Sequence, residues 1–125
     1  MGDDELHILG RDVRHPVDAL ETFAAPATCT RVRFRSDELT SLCPITGQPD
    51  FSTVEIDYEP DQRCIESKSL KLYLWSFRER RAFCEQLAAE IAAEVQRAAA
   101  PKTVRVTITQ HTRGGIVTEA VAELP

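Results

Sequence analysis

A chain of 125 residues with 42% apolar residues makes one domain with a single modest core, and it leaves no room for a separate cofactor domain. Fifteen basic against twenty acidic residues give a formal charge of −5, so the surface as a whole is not built for nucleic acid or an anionic membrane, and any phosphate must meet a local basic cluster. Met1 to Glu5 is acidic without an apolar run, and no stretch approaches the roughly 20 apolar residues of a membrane span, so the expected location is the cytoplasm.

Four cysteines, Cys29, Cys43, Cys64 and Cys84, are separated by 14, 21 and 20 residues, with no Cys-x-x-Cys pair and no histidine at zinc-finger spacing. No structural zinc site is expected, and the thiols are expected to be reduced. His7, His15 and His111 show no ligand-like spacing with a cysteine, so a zinc-dependent hydrolase is disfavoured and no metal is expected.

In chain order, residues 1–15 are polar apart from a short patch at Leu6 to Leu9 and read as a loose arm, with His7 and His15 solvated. Residues 16–125 form the domain. Pro16 to Phe23 is expected to make a short turn of helix, stopped by Ala24-Ala25-Pro26. Thr28 to Ser36 alternates Val32 and Phe34 inward with Arg31, Arg33 and Arg35 outward, the pattern of a strand with one wet face. Cys43 then stands in a turn beside Pro44 and close to Thr46-Gly47, and Pro49 keeps Asp50 out of regular structure. By spacing alone Cys43 is either a reachable thiol or a small buried apolar residue, and Asp50 either an acid facing the same pocket or a turn former.

Phe51 to Tyr58 repeats the alternation, with Val54, Ile56 and Tyr58 opposite Thr53, Glu55 and Asp57, so two strands joined by a long loop are expected to make a hairpin that carries Cys43. Glu59-Pro60-Asp61 breaks that strand. Ser67 to Phe77 is predicted helical, with Lys68 and Lys71 on one face, and a longer helix runs from about Arg81 to Ala99 with Phe83, Leu87, Ile91 and Val95 as its apolar stripe. Ala88 and Ala92 let it lie close to a sheet, and Pro101 ends it. Val104, Val106 and Ile108 mark a third strand, Gly114-Gly115 a turn, and Ile116 to Glu123 a fourth. The predicted order is ββααββ, a small α+β domain with an antiparallel four-stranded sheet.

Cys-Pro-Ile-Thr-Gly-Gln-Pro-Asp-Phe from Cys43 to Phe51, followed by Glu-Ser-Lys-Ser-Leu-Lys-Leu-Tyr from Glu66 to Tyr73, resembles the QueF family, the NADPH-dependent 7-cyano-7-deazaguanine reductases, in its short single-domain form. Further matches run from Leu20 to Ile116. The resemblance implies the tunnelling fold (T-fold), in which several subunits pair edge strands into a barrel with helices outside and form sites between subunits, as in a decamer of two pentamers. It implies reduction of a nitrile to a primary amine with two NADPH through a cysteine thioimide, a step of queuosine biosynthesis for tRNA modification.

On this resemblance Cys43 is the nucleophile and Asp50 the acid. Ser67, Lys68 and Lys71 receive NADPH, with Arg113 of Arg113-Gly114-Gly115-Ile116 as a third cation; no Gly-x-Gly-x-x-Gly is present for a Rossmann site. Glu85 matches the glutamate that holds the guanine-like edge of the substrate, Phe23 of Leu20-Glu21-Thr22-Phe23 is a wall of the base pocket, and Glu66 and Ser67 complete the substrate contacts. The chain departs from the family at Phe83-Cys84-Glu85, where Phe-His-Glu is common, which bears on substrate affinity or proton handling and raises a Cys43 to Cys84 crosslink on oxidation. The alternatives are a QueF-like amidinotransferase, which adds ammonia to the nitrile of a base already in nucleic acid, and a non-catalytic purine-binding oligomer.

Overall fold

The computed structural model describes residues 15–125. Of the expected N-terminal arm only His15, which is exposed, is among them; His7 lies outside the described residues. The elements follow in the order β1 (Thr22–Ala24), β2 (Val32–Leu42), β3 (Pro49–Glu59), β4 (Arg63–Ile65), α1 (Ser67–Trp75), α2 (Cys84–Ala99), β5 (Thr103–Arg113) and β6 (Ile116–Leu124). The predicted ββααββ frame is present as a four-stranded antiparallel sheet ordered β2-β3-β5-β6, with both helices inserted between β3 and β5. A two-stranded antiparallel ribbon, β1-β4, is added to it.

Period-2 and period-3.6 patterns meet in the core. Val54, Ile56 and Tyr58 of β3 and Val104, Val106 and Ile108 of β5 are buried together with Leu87, Ala88, Ile91, Ala92 and Val95 of α2. Each large aliphatic side chain fully buried there contributes about 1.5–3 kcal/mol. Phe83, expected in the helical stripe, is 55% exposed: it is the residue before α2, in extended conformation, and Cys84 takes the buried place one position on. Gly114 and Gly115 both have positive φ, 57° and 78°, as the tight two-residue turn between β5 and β6 requires. Among the described residues no helix is long and apolar enough to cross a membrane.

Three further expectations are corrected. Pro49 does not keep Asp50 out of regular structure: β3 begins at Pro49, and Asp50 is paired with Ser41 in the sheet, since Pro is tolerated as the first residue of a strand. Residues 16–23 form no helical turn: such a short helix is marginal without packing, and Thr22, β-branched and buried, instead pairs opposite Ile65 in the ribbon. The Thr22 side-chain oxygen and carbonyl each accept from the Arg63 guanidinium at 2.9 Å. The first long strand continues past Ser36 to Leu42 by absorbing an irregularity between Ser36 and Leu39, so the loop around Cys43 is a short turn and not a long excursion. Strand β4 had no signal of its own: three residues carry no periodicity.

Candidate active site

The Cys43 turn is built by backbone hydrogen bonds. Register pairs Ser41 with Asp50 and Leu42 with Pro49; beyond them the Cys43 N–H donates to Gln48 O and the Gly47 N–H to Cys43 O, both at 2.8 Å. Gly47 closes the turn with φ 73°, a conformation that costs any other residue. The chain thereby folds over the sulfur, and the Thr46 N–H points at Cys43 Sγ from 3.5 Å. The Thr46 hydroxyl, the N–H groups of Thr46 and Ile45, and to a smaller extent Arg113 stabilise the thiolate against the opposing effect of desolvation, and hold the Cys43 pKa down to about 6. Cys43 is half-buried. A thiol that is ionised at neutral pH and open to solvent is a nucleophile.

Asp50 lies across from Ser41, which is two residues before Cys43, so thiol and acid belong to one side of the hairpin. The Asp50 side chain is only 6% exposed and is ion-paired with Arg113 at the end of β5. Register is irregular between Gln110 and Arg113, and that irregularity carries the guanidinium over to the β2-β3 hairpin. Arg113, which the sequence suggested for cofactor phosphate alongside Lys68 and Lys71, therefore joins acid and thiol.

A third component arrives from the segment before α2. The Leu42 N–H donates to Arg80 O at 2.8 Å and the Ala82 N–H to Leu42 O at 3.1 Å, a parallel bridge between Leu42 and Arg81. The Arg81 guanidinium lies against Gly47, where an added Cβ would come within 2.7 Å of Nη2. This clasp docks the start of α2, with exposed Glu85 in its first turn, beside the Cys43 turn. Arg81 was missed in the sequence because it was read as the start of the longer helix, which begins instead at Cys84. Cys84 is buried in the core, its thiol pushed up by desolvation, and it and Cys43 are both free.

The remaining predicted residues lie elsewhere. Glu66 is 6% exposed and caps α1, its carboxylate accepting from the Ser69 N–H at 2.7 Å and the Lys68 N–H at 2.8 Å. Its own N–H donates to Glu21 O at 2.8 Å, next to the ribbon that carries Phe23, which is 39% exposed. The ribbon is tied to the far end of β3, where the Tyr58 hydroxyl accepts from the Ile65 N–H at 2.8 Å. Asp50 and Tyr58 are eight residues apart on one strand, about 26 Å at roughly 3.3 Å per residue. Phe23 and Glu66 thus sit at the opposite end of the sheet from Cys43. Ser67 and Lys71 line a cavity of about 570 Å³ between α1 and the edge strand β2, together with Arg35, Trp75 and Arg78.

The family model described as QueF-like protein matches residues 49–124. A protein of Alkalilimnicola ehrlichii named NADPH-dependent 7-cyano-7-deazaguanine reductase is 49% identical over 110 residues, 86% of this chain and 85% of that protein. The chain belongs to the QueF family. A second QueF-family relative with the same name, from Nitrosococcus oceani, is 46% identical over the same shares. Among solved structures, the apo form of the archaeosine synthase QueF-Like superposes with a TM-score of 0.72 at 29% identity, over 77% of this chain and 97% of that one.

Proposed function

We propose that this QueF-family chain is an NADPH-dependent nitrile reductase that converts 7-cyano-7-deazaguanine to 7-aminomethyl-7-deazaguanine for queuosine biosynthesis. The observation that carries the reading is Cys43, a half-buried thiol held at a pKa of about 6 on the same side of its hairpin as a buried acid. A nitrile accepts hydride poorly. The Cys43 thiolate forms a carbon–sulfur bond to the nitrile carbon as the π bond passes to nitrogen, and the nitrogen takes a proton drawn from solvent and relayed through the Asp50 carboxylate, leaving a thioimide on the enzyme. Asp50 then handles the further protons at nitrogen and at the departing sulfur as Cys43 is released. Glu85 accepts the paired N–H donors of the purine-like edge from its place beside the Cys43 turn.

Ser67, Lys68 and Lys71 on α1 would hold the cofactor, and the cationic lining of the adjoining cavity suits a phosphate-bearing ligand. Bound there, NADPH would supply hydride, two equivalents for the four electrons of the reduction. Phe23 and Glu66 are a sheet's length from Cys43 in one chain, and β2 and β6 are open edges. Both facts support a T-fold barrel of several subunits, in which the Phe23 and Glu66 end of one protomer completes the Cys43 end of another. In that arrangement Glu66 acts first by capping α1 and presenting Ser67.

The test is anaerobic incubation with 7-cyano-7-deazaguanine, following thioimide absorbance in the near ultraviolet, then addition of NADPH. The expected result is an adduct absent in Cys43→Ala and two NADPH oxidised per nitrile. The archaeosine synthase likeness gives a second reading, transfer of ammonia to the nitrile; an adduct inert to NADPH but discharged by ammonia would establish it instead. Absence of any adduct would leave a purine-binding oligomer.

A further inference from the structure

Cys43 to Gly47 make a single turn closed by the Gly47 N–H on the Cys43 carbonyl, and that closure is what aims the Thr46 N–H at the sulfur. A turn so short is marginal without packing. Its own side chains supply little, since Ile45, Thr46 and Gln48 are exposed, while Gly47 at the closing end is half-buried. The group that stands over Gly47 belongs to Arg81. A Cβ built on Gly47 would meet three atoms of that guanidinium, Nη2 at 2.7 Å, Cζ at 3.2 Å and Nη1 at 3.6 Å. The whole planar group, and not one nitrogen, fills the space beside the Gly47 α-carbon.

The guanidinium reaches this place from an anchored backbone, because the residues on either side of Arg81 are hydrogen-bonded to Leu42. Successive side chains of an extended segment point opposite ways. Arg80 turns to Glu90 of α2 and over the Phe77 ring, and Arg81 turns to the Cys43 turn. Among the described residues Arg81 has no carboxylate partner, whereas Arg31, Arg80, Arg97 and Arg113 each hold one. Arg81 thus grips the turn twice: by main chain at the residue before Cys43, and by guanidinium at the glycine that closes it. Gly47 has the widest backbone freedom in the turn, so a group filling the space beside it restrains the motion that would swing the Thr46 N–H off the sulfur. We propose that Arg81 is a positioning residue for the nucleophile, which keeps the Cys43 turn closed by covering Gly47 and so holds the donors of the turn on the sulfur. The proposal rests on the reductase reading for the nitrile that the thiol attacks, and on the turn alone for the effect on the thiol.

The test is iodoacetamide alkylation of the full chain against pH, read on the Cys43 peptide by mass spectrometry, in the native protein, Arg81→Ala and Arg81→Lys. The native midpoint is expected at about 6. A turn that opens part of the time weakens hydrogen bonds to an ionised sulfur, so Arg81→Ala should raise the midpoint by roughly half to one pH unit and slow alkylation at pH 5 about three- to tenfold. The urea midpoint should not move, because the Arg81 side chain is exposed. Arg81→Lys keeps the charge without the planar group and should recover only part of the shift. Salt at about 1 M should leave the shift in place, since it screens charge and not contact. In Gly47→Ala, whose methyl displaces the guanidinium, Arg81→Ala should add little further. Coincident native and Arg81→Ala profiles, full recovery in Arg81→Lys, loss of the shift in salt, or additive shifts in the double variant would overturn the proposal. The two readings fail separately. A Cys43 adduct reduced by NADPH with coincident alkylation profiles removes only the role of Arg81, and an Arg81-dependent thiol that forms no adduct with the nitrile leaves that role standing and removes the reductase.

Discussion

Replacing Thr46 with valine keeps the shape of the side chain and deletes the hydroxyl, the largest of the influences that bring the Cys43 thiol from its ordinary 9.0 down to about 6. The N–H groups of Thr46 and Ile45 and the Arg113 guanidinium remain, so the pKa should rise part of the way, by about one pH unit for one hydrogen bond to an ionised group. In the native chain at pH 7 the thiolate outnumbers the thiol by about ten to one, against about one in a hundred for a thiol at 9.0. The difference in Thr46→Val is therefore small at pH 7, about twofold, and approaches about tenfold at pH 5, where both forms are mostly protonated. The assay is the rate of iodoacetamide alkylation of the Cys43 peptide from pH 4.5 to 9.5, read by mass spectrometry so that half-buried Cys29 does not contribute. A native midpoint near 9, or coincident native and Thr46→Val profiles, would refute the reasoning that the turn itself activates the sulfur.

Glu66→Ala removes the acceptor for two N–H groups at the start of α1 and should destabilise the protein by about 1–2 kcal/mol, read as a lower midpoint in urea; an unchanged midpoint would mean the cap carries no weight. Tyr58→Phe leaves the buried Ile65 N–H without its acceptor and should cost about 1–3 kcal/mol, with faster amide exchange in the β1-β4 ribbon than in the main sheet; uniform exchange would show that the ribbon is not anchored there. Hydrogen bonds from Arg31 and Arg33 hold the Asp57 carboxyl below the usual carboxylate range. A depressed folded pKa gives stabilisation that is complete above about pH 4 and lost as pH falls through the lowered value. Asp57→Asn should accordingly melt below the native protein at pH 7, with the gap narrowing as pH falls below about 4; a constant gap would point to packing instead of charge.

Elements long enough to repeat were legible from local pattern. Strands β3 and β5 alternate buried and exposed residues, α2 carries Leu87, Ile91 and Val95 at helical spacing, and Gly114-Gly115 has no better place than a tight turn. The ribbon was not legible, because its strands have three residues each and exist through pairing between positions about forty apart, where Thr22 meets Ile65. Phe83 was misplaced for a related reason: helical periodicity shows which residues share a face and does not show where the first turn begins.

The residue types of the site were determined by the sequence: a cysteine in a proline and glycine turn, an acid seven positions on, and lysines at helical spacing. Their company was decided only by the tertiary structure. An irregular end of β5 brings Arg113 onto Asp50, a backbone clasp at Leu42 brings Arg81 and the start of α2 to the Cys43 turn, and the length of β3 separates Glu66 from Cys43 by a whole sheet. Each depends on which strands lie side by side, and that follows from the shared burial of the whole core, a property that no window of sequence contains.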